Sequence, residues 1–162
     1  MKILGIDPGY GRVGVAVIEK KTKGREILLY SDCIITRSIS AHEERLLTIG
    51  KEIMKLIKKY KPDIVSVEKL YFNENQKTAL KVSEARGVIL FASRFMRVPI
   101  AEYTPLEIKV ACTGYGRADK KQMTSMLGRL VLIRKKIKFD DEYDAIAAAL
   151  TAAARNRGER RT

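Results

Sequence analysis

Four acidic residues stand where hydrolytic chemistry would want them. Asp7 follows the apolar run Ile3, Leu4, Ile6, and Glu68 follows Ile64, Val65, Val67. Asp141 and Asp144 head a segment rich in Ala, Ile and Leu. A short, nearly unbroken apolar run fits a strand buried on both faces. Pro8 keeps Asp7 extended and has no N–H to continue a ladder, so Asp7 is expected at the carboxyl end of a central strand. Ligand sites of open α/β sheets gather at that edge. A spacing of three puts Asp141 and Asp144 on one helix face. If all four acids meet, like charges about 4 Å apart repel by roughly 4 kcal/mol per pair at an effective dielectric of 20. A divalent cation would offset that repulsion, and oxygen donors select Mg²⁺ or Mn²⁺. Two ions held by shared carboxylates would suit in-line attack of water on a phosphodiester, one activating the water and one stabilising the leaving 3′ oxygen. Plainer readings exist for each acid. Asp-Pro and Pro-Gly also start turns, and acids are favourable at any helix N-terminus.

The elements that must position these acids can be read in order. Residues 13–19 form a second apolar strand, 20–24 a polar turn and 26–36 a third strand, bent near Asp32. Short links make antiparallel hairpins of the three. Gly9, Gly11 and Gly14 keep the turn after Asp7 free of bulk. Ser40 and Glu43 form a capping box for the first helix, with an apolar stripe from Leu46 to Tyr60. His42, without a second His or a Cys nearby, reads as an exposed surface residue. After a stop at 61–63, the strand ending in Glu68 returns by a crossover and pairs parallel with the first strand. That places Glu68 beside Asp7. A loop at 71–75 leads to a helix from about Gln76 to Phe95, then a fifth strand at 98–103. Thr104-Pro105-Leu106-Glu107 is a strong helix start. Asp119 caps a helix carrying Met123, Met126, Leu127, Leu130 and Val131. A cationic run at 134–138 precedes the last helix. Residues 1–154 are expected to form a single domain, and 155–162 a disordered basic tail.

Composition sets the class. The chain has 162 residues, 46% hydrophobic and 31% charged, as in an ordinary soluble globular protein. Its net charge of +13 points to a polyanionic partner, nucleic acid before an anionic membrane. Neither a signal peptide nor a membrane-spanning run is expected. Cys33 and Cys112 make no metal or redox spacing and read as core or free thiols in a reducing cytoplasm.

These stretches together resemble the bacterial RuvC-type Holliday junction resolvases. The resemblance is carried by Gly5-Ile6-Asp7-Pro8-Gly9, by Val67-Glu68 with Ala79-Leu80-Lys81 and Ala85-Arg86-Gly87-Val88, and by residues 141–149, in the same order and spacing. It implies an α/β, ribonuclease-H-like fold: a five-stranded mixed sheet, the first three strands antiparallel and the rest parallel, flanked by helices. It also implies an endonuclease that cuts four-way DNA junctions symmetrically in recombination and repair. By the resemblance, Asp7, Glu68, Asp141 and Asp144 are the catalytic acids and ligands of Mg²⁺ or Mn²⁺, two ions per site. Some relatives carry His at the third acid, and Asp140 is a neighbouring candidate for it. Tyr71 matches an aromatic that stacks on a base near the junction centre, with Phe72 as its fallback. Lys109 and Lys120 match lysines near the scissile phosphate, although taken alone they read as solvated helix charge. The helix from Gln76 matches a homodimer interface, and the implied partners are junction DNA and a branch-migration complex of the RuvA and RuvB type.

Three rivals share parts of this pattern. Gly-Ile-Asp-Pro-Gly also resembles the phosphate loop of actin-like ATPases, which need two such domains. The YqgF-like family, acting on RNA, has a similar first strand. A non-catalytic nucleic-acid-binding domain would use the acids only as structural caps.

Overall fold

The computed structural model describes residues 1–70 and 76–156. Strand β1 (Lys2–Asp7) pairs antiparallel with β2 (Arg12–Glu19), which pairs antiparallel with β3 (Glu26–Ile35). Helix α1 (His42–Tyr60) crosses over to β4 (Ile64–Glu68), parallel to β1. Helix α2 (Gln76–Phe95) leads to β5 (Ile100–Tyr103), parallel to β4. Then come α3 (Pro105–Thr113), α4 (Lys120–Leu130), β6 (Val131–Leu132) and α5 (Asp140–Arg155). The strand order is β5-β4-β1-β2-β3-β6.

The sheet has six strands, one more than expected. Val131 leaves the expected helical stripe and, with Leu132, pairs parallel with Glu26 and Ile27. Val131 is fully buried there, where its β-branched side chain is well accommodated by a pleated surface. The irregularity in β3 lies between the Val17–Tyr30 and Ile18–Leu28 pairs, not at Asp32. Asp32 instead turns its Oδ1 onto the N–H of Cys33, at 2.9 Å.

Side-chain alternation divides the core in two. Leu4 and Ile6 of β1, with Val13, Val15 and Val17 of β2, pack under α1 and α2. Ile3 of β1, with Ala16 and Ile18 of β2, packs under α3, α4 and α5. Because strand side chains repeat every two residues, Asp7 shares the face of Ile3 and Gly5, the face that α5 covers. Glu68 likewise shares the face of Ser66, whose hydroxyl donates to Ala148 O at 2.6 Å.

Helix α5 lies unusually close to the sheet. A Cβ on Gly5 would stand 2.1 Å from Ala145 O, and one on Gly14 would stand 2.0 Å from Asp141 O. The alanines of α5 continue this fit: Ala145, Ala147, Ala148, Ala149, Ala152 and Ala153 are buried. Gly14 therefore serves the helix above β2 and not the turn after Asp7.

Two helix starts follow the sequence reading. Thr104 Oγ1 accepts from Glu107 N, and Glu107 Oε2 accepts from Thr104 N. Asp119 Oδ1 accepts from Gln122 N at 2.8 Å. The start of α1 does not. Ser40 sits in a turn, its N–H donating to Arg37 O, and Ala41 precedes the helix without a side-chain cap. Tertiary contacts hold this end instead. His42 is not a free surface group: Nδ1 lies 2.8 Å from Tyr10 Oη, and Nε2 lies 2.8 Å from Glu84 Oε2 of α2. Arg45 donates from Nε to Thr36 Oγ1 and lies over the Tyr10 ring. Cys33 and Cys112 are free thiols, the latter buried. Among the described residues, no helix is long and apolar enough to cross a membrane.

Candidate active site

Asp7 ends β1, Glu68 ends the parallel neighbour β4, and Asp141 and Asp144 lie in the first two turns of α5. The parity of the strands and the close seating of α5 bring the four into one electrostatic neighbourhood. Burial lifts the Asp7 carboxyl to about 8, and the charges of Glu68, Asp144 and Asp141 push in the same direction. Burial and then Asp144 lift Glu68 to about 7. Asp144 is raised by burial, with Asp141 and Asp140 adding to it. Lys120 opposes the rise at Asp7 and Asp144, and Lys109 opposes it at Glu68.

The neighbouring acids at 140 and 141 differ in setting. Asp140 is 79% exposed and lies 3.5 Å from the equally exposed Lys120 Nζ. The charge of Asp141 reaches Asp7. Its Oδ2 lies 3.2 Å from Arg12 Nε, yet this buried oxygen accepts no hydrogen bond of good geometry. The contact is an ion pair in distance only. Arg12 was not singled out in the sequence. It stands at the first position of β2, over the Phe139 ring, and only the fold places it beside α5.

A cavity of about 490 Å³ opens beside the acids. Glu68, Asp144, Lys109 and Lys120 line it, and Ile108 and Leu127 contribute apolar wall. Asp7 and Asp141 are not among its lining residues. Tyr71 and Phe72 lie outside the described residues.

The donor set suits a hard divalent cation. All the candidate ligands are carboxylate oxygens, the chemistry that Mg²⁺ and Mn²⁺ prefer. Two of them are lifted to about 7 and about 8, by burial and by neighbouring acids, and Asp141 holds a buried oxygen that accepts no well-aligned hydrogen bond. Among the described residues, no three His, Cys, Asp or Glu side chains are already drawn tight enough to grip an ion. The acids share a field without closing on a single point.

A mixed sheet of this order, with α5 pressed against β1 and β2 and acids at the carboxyl ends of β1 and β4, defines a ribonuclease-H-like protein. Comparison with known proteins narrows the class. Residues 3–152 match the family described as crossover junction endodeoxyribonuclease RuvC, and the chain belongs to that family. A crossover junction endodeoxyribonuclease RuvC of Petrotoga mobilis is 48% identical over 92% of this chain and 91% of its own length. One from Moorella thermoacetica is 45% identical over 95% of this chain and 92% of its own. Thermus thermophilus RuvC, solved in complex with a Holliday junction substrate, superposes with a TM-score of 0.91 at 29% identity, covering 97% of this chain and 95% of that one.

Proposed function

We propose that this chain is a structure-selective endonuclease that resolves four-way DNA junctions by symmetric phosphodiester hydrolysis. Family membership supports this reading, and one observation in the chain itself carries it. Half-buried acids on β1, β4 and α5 share one field in a protein of net charge +13. Repelling carboxylates contribute nothing favourable to a fold unless a cation joins them.

Asp7, Glu68, Asp141 and Asp144 would hold the metal, with Mg²⁺ or Mn²⁺ and two ions as the expected complement. When bound, such ions supply an activated water and charge stabilisation at the leaving oxygen. The chain's own groups do the rest. Lys109 and Lys120 stand on the cavity wall, where ammonium groups can orient the phosphate. Ile108 and Leu127 keep part of that wall dry, which strengthens every charge interaction beside it. Asp140, exposed beside Lys120, is assigned to the lip and Asp141 to the metal. Tyr71, with Phe72 as alternative, is assigned to stacking on an unpaired base.

The working unit is a homodimer. Leu80, Phe91 and Phe95 on α2 are each about two-thirds exposed, and the two phenylalanines stack at 5.7 Å. Large apolar residues left out on one helix fit a partner surface. A cytoplasmic setting beside a branch-migration complex completes the proposal. The decisive experiment is a cleavage assay with Mg²⁺ on a four-way junction, a linear duplex and an RNA in parallel. A cut junction and intact controls are expected; equal cutting of linear duplex overturns junction selectivity.

A further inference from the structure

Glu142 lies between Asp141 and Asp144 in sequence, yet its side chain is 0% exposed. Both of its oxygens are fully engaged. Oε1 accepts from Lys138 N at 2.9 Å and Phe139 N at 3.2 Å. Oε2 accepts from Ser31 Oγ at 2.6 Å and Lys135 Nζ at 2.7 Å. Lys135 also donates to Ser31 O at 2.6 Å. A helix cap needs only the Oε1 bonds, because they satisfy the free amides at the start of α5. The second oxygen does something else: it ties the first turn of α5 sideways to β3.

This tie meets two others. Asp141 O rests on Gly14 of β2, and Ala145 O rests on Gly5 of β1. Ser31 is paired with Ala16, two residues along β2 from Gly14. The first turns of α5 are thus fixed against three adjacent strands. The tie is an ion pair between a fully buried carboxylate and a part-exposed ammonium, a kind of pair that adds little net stability. Lys135 belongs to the cationic run at 134–138, and its ammonium is turned onto Glu142 and Ser31 although the side chain stays 38% exposed.

We propose that Glu142, Lys135 and Ser31 form a positioning cluster that holds Asp141 and Asp144 in their metal-binding pose. The cluster touches neither substrate nor metal. It rests on the reading of those two acids as ligands. Groups that orient metal ligands without touching the ion are typically worth 10- to 100-fold in metal affinity or activity.

The test is Mn²⁺ binding by calorimetry on the full chain, with junction cleavage measured beside it. Lys135→Met and Ser31→Ala should each weaken Mn²⁺ binding about tenfold and slow cleavage by a similar factor, while junction binding without metal stays within about twofold. Lys135→Arg should restore both. The double variant Glu142→Gln with Lys135→Met removes both charges of the pair together. It should regain thermal stability but not metal affinity. If Lys135→Met fails to fold, Ser31→Ala, which leaves the ion pair in place, carries the test. Wild-type Mn²⁺ affinity in Ser31→Ala and Lys135→Met, or metal affinity returning with stability in the double variant, overturns the inference and leaves a structural clamp. A wild-type protein that binds Mn²⁺ but leaves junctions uncut sinks the nuclease reading alone. One that binds no Mn²⁺ sinks both.

Discussion

Gly14 stands opposite Asp7 in the β1–β2 ladder, and the Asp141 carbonyl occupies the space where its side chain would be. One missing methyl group thus lets α5 descend far enough for its acids to feel Asp7. Gly14→Ala should force the backbone apart, since a carbonyl cannot rotate away like a side chain. A loss of about 1–3 kcal/mol in denaturant unfolding is expected. Junction cleavage should fall more steeply than stability does.

Asp7→Asn should abolish cleavage. It should preserve or tighten junction binding, because it removes one negative charge from a DNA-facing edge. Cleavage gels and binding titrations on the same preparation check both halves. Cutting at the wild-type rate would remove Asp7 from the site.

The same variant isolates a pH effect. The Asp7 carboxyl is lifted from 3.8 to about 8 in the fold, so the folded chain holds this proton more tightly than the unfolded chain does. Stability from this group is full below about pH 4 and is lost as pH rises toward 8. Without metal, Asp7→Asn should therefore gain on the wild type across that window, by at most on the order of 5 kcal/mol, and level off above it. Urea unfolding in a chelator at several pH values measures the difference. Mg²⁺ should shrink it.

Lys120 lowers the pKa of both Asp7 and Asp144. Lys120→Ala should raise both, so cleavage that needs ionised carboxylates should switch on at higher pH. The acid limb of the rate profile is the measurement. An unmoved limb with a weaker KM would make Lys120 a phosphate contact only.

Phe91→Glu should convert the assembly to monomers in sedimentation, because a charge replaces an exposed apolar ring on α2. Paired nicking of a junction should then give way to single nicks.

How much of this was written in the sequence depends on the range of each signal. Asp7 and Glu68 were readable because local apolar runs end in them, and a crossover of fixed hand puts their strands side by side. Thr104 and Asp119 were readable because a cap and its partner lie three residues apart. Ser40 with Glu43 shows the same pattern and does not cap; His42 reaches Tyr10 and Glu84 instead, and neither is near it in sequence. Gly14 looked like turn punctuation because nothing beside it reveals a helix 127 residues onward. Glu142 was hidden among three aspartates, since its partners, Ser31 and Lys135, are set by the fold. Val131 fits a helical stripe locally, and only the neighbouring β3 draws it, with Leu132, into the sheet.

Beyond the two residues that β6 covers, β3 forms the border of the sheet among the described residues. Such a border invites another molecule's backbone to zip alongside. Here Lys135 occupies the Ser31 carbonyl and the Asp32 carboxylate occupies the Cys33 amide. The ammonium that steadies α5 therefore also guards against chain-to-chain β-stacking, and Lys135→Met should turn cloudy on concentration sooner than the parent protein.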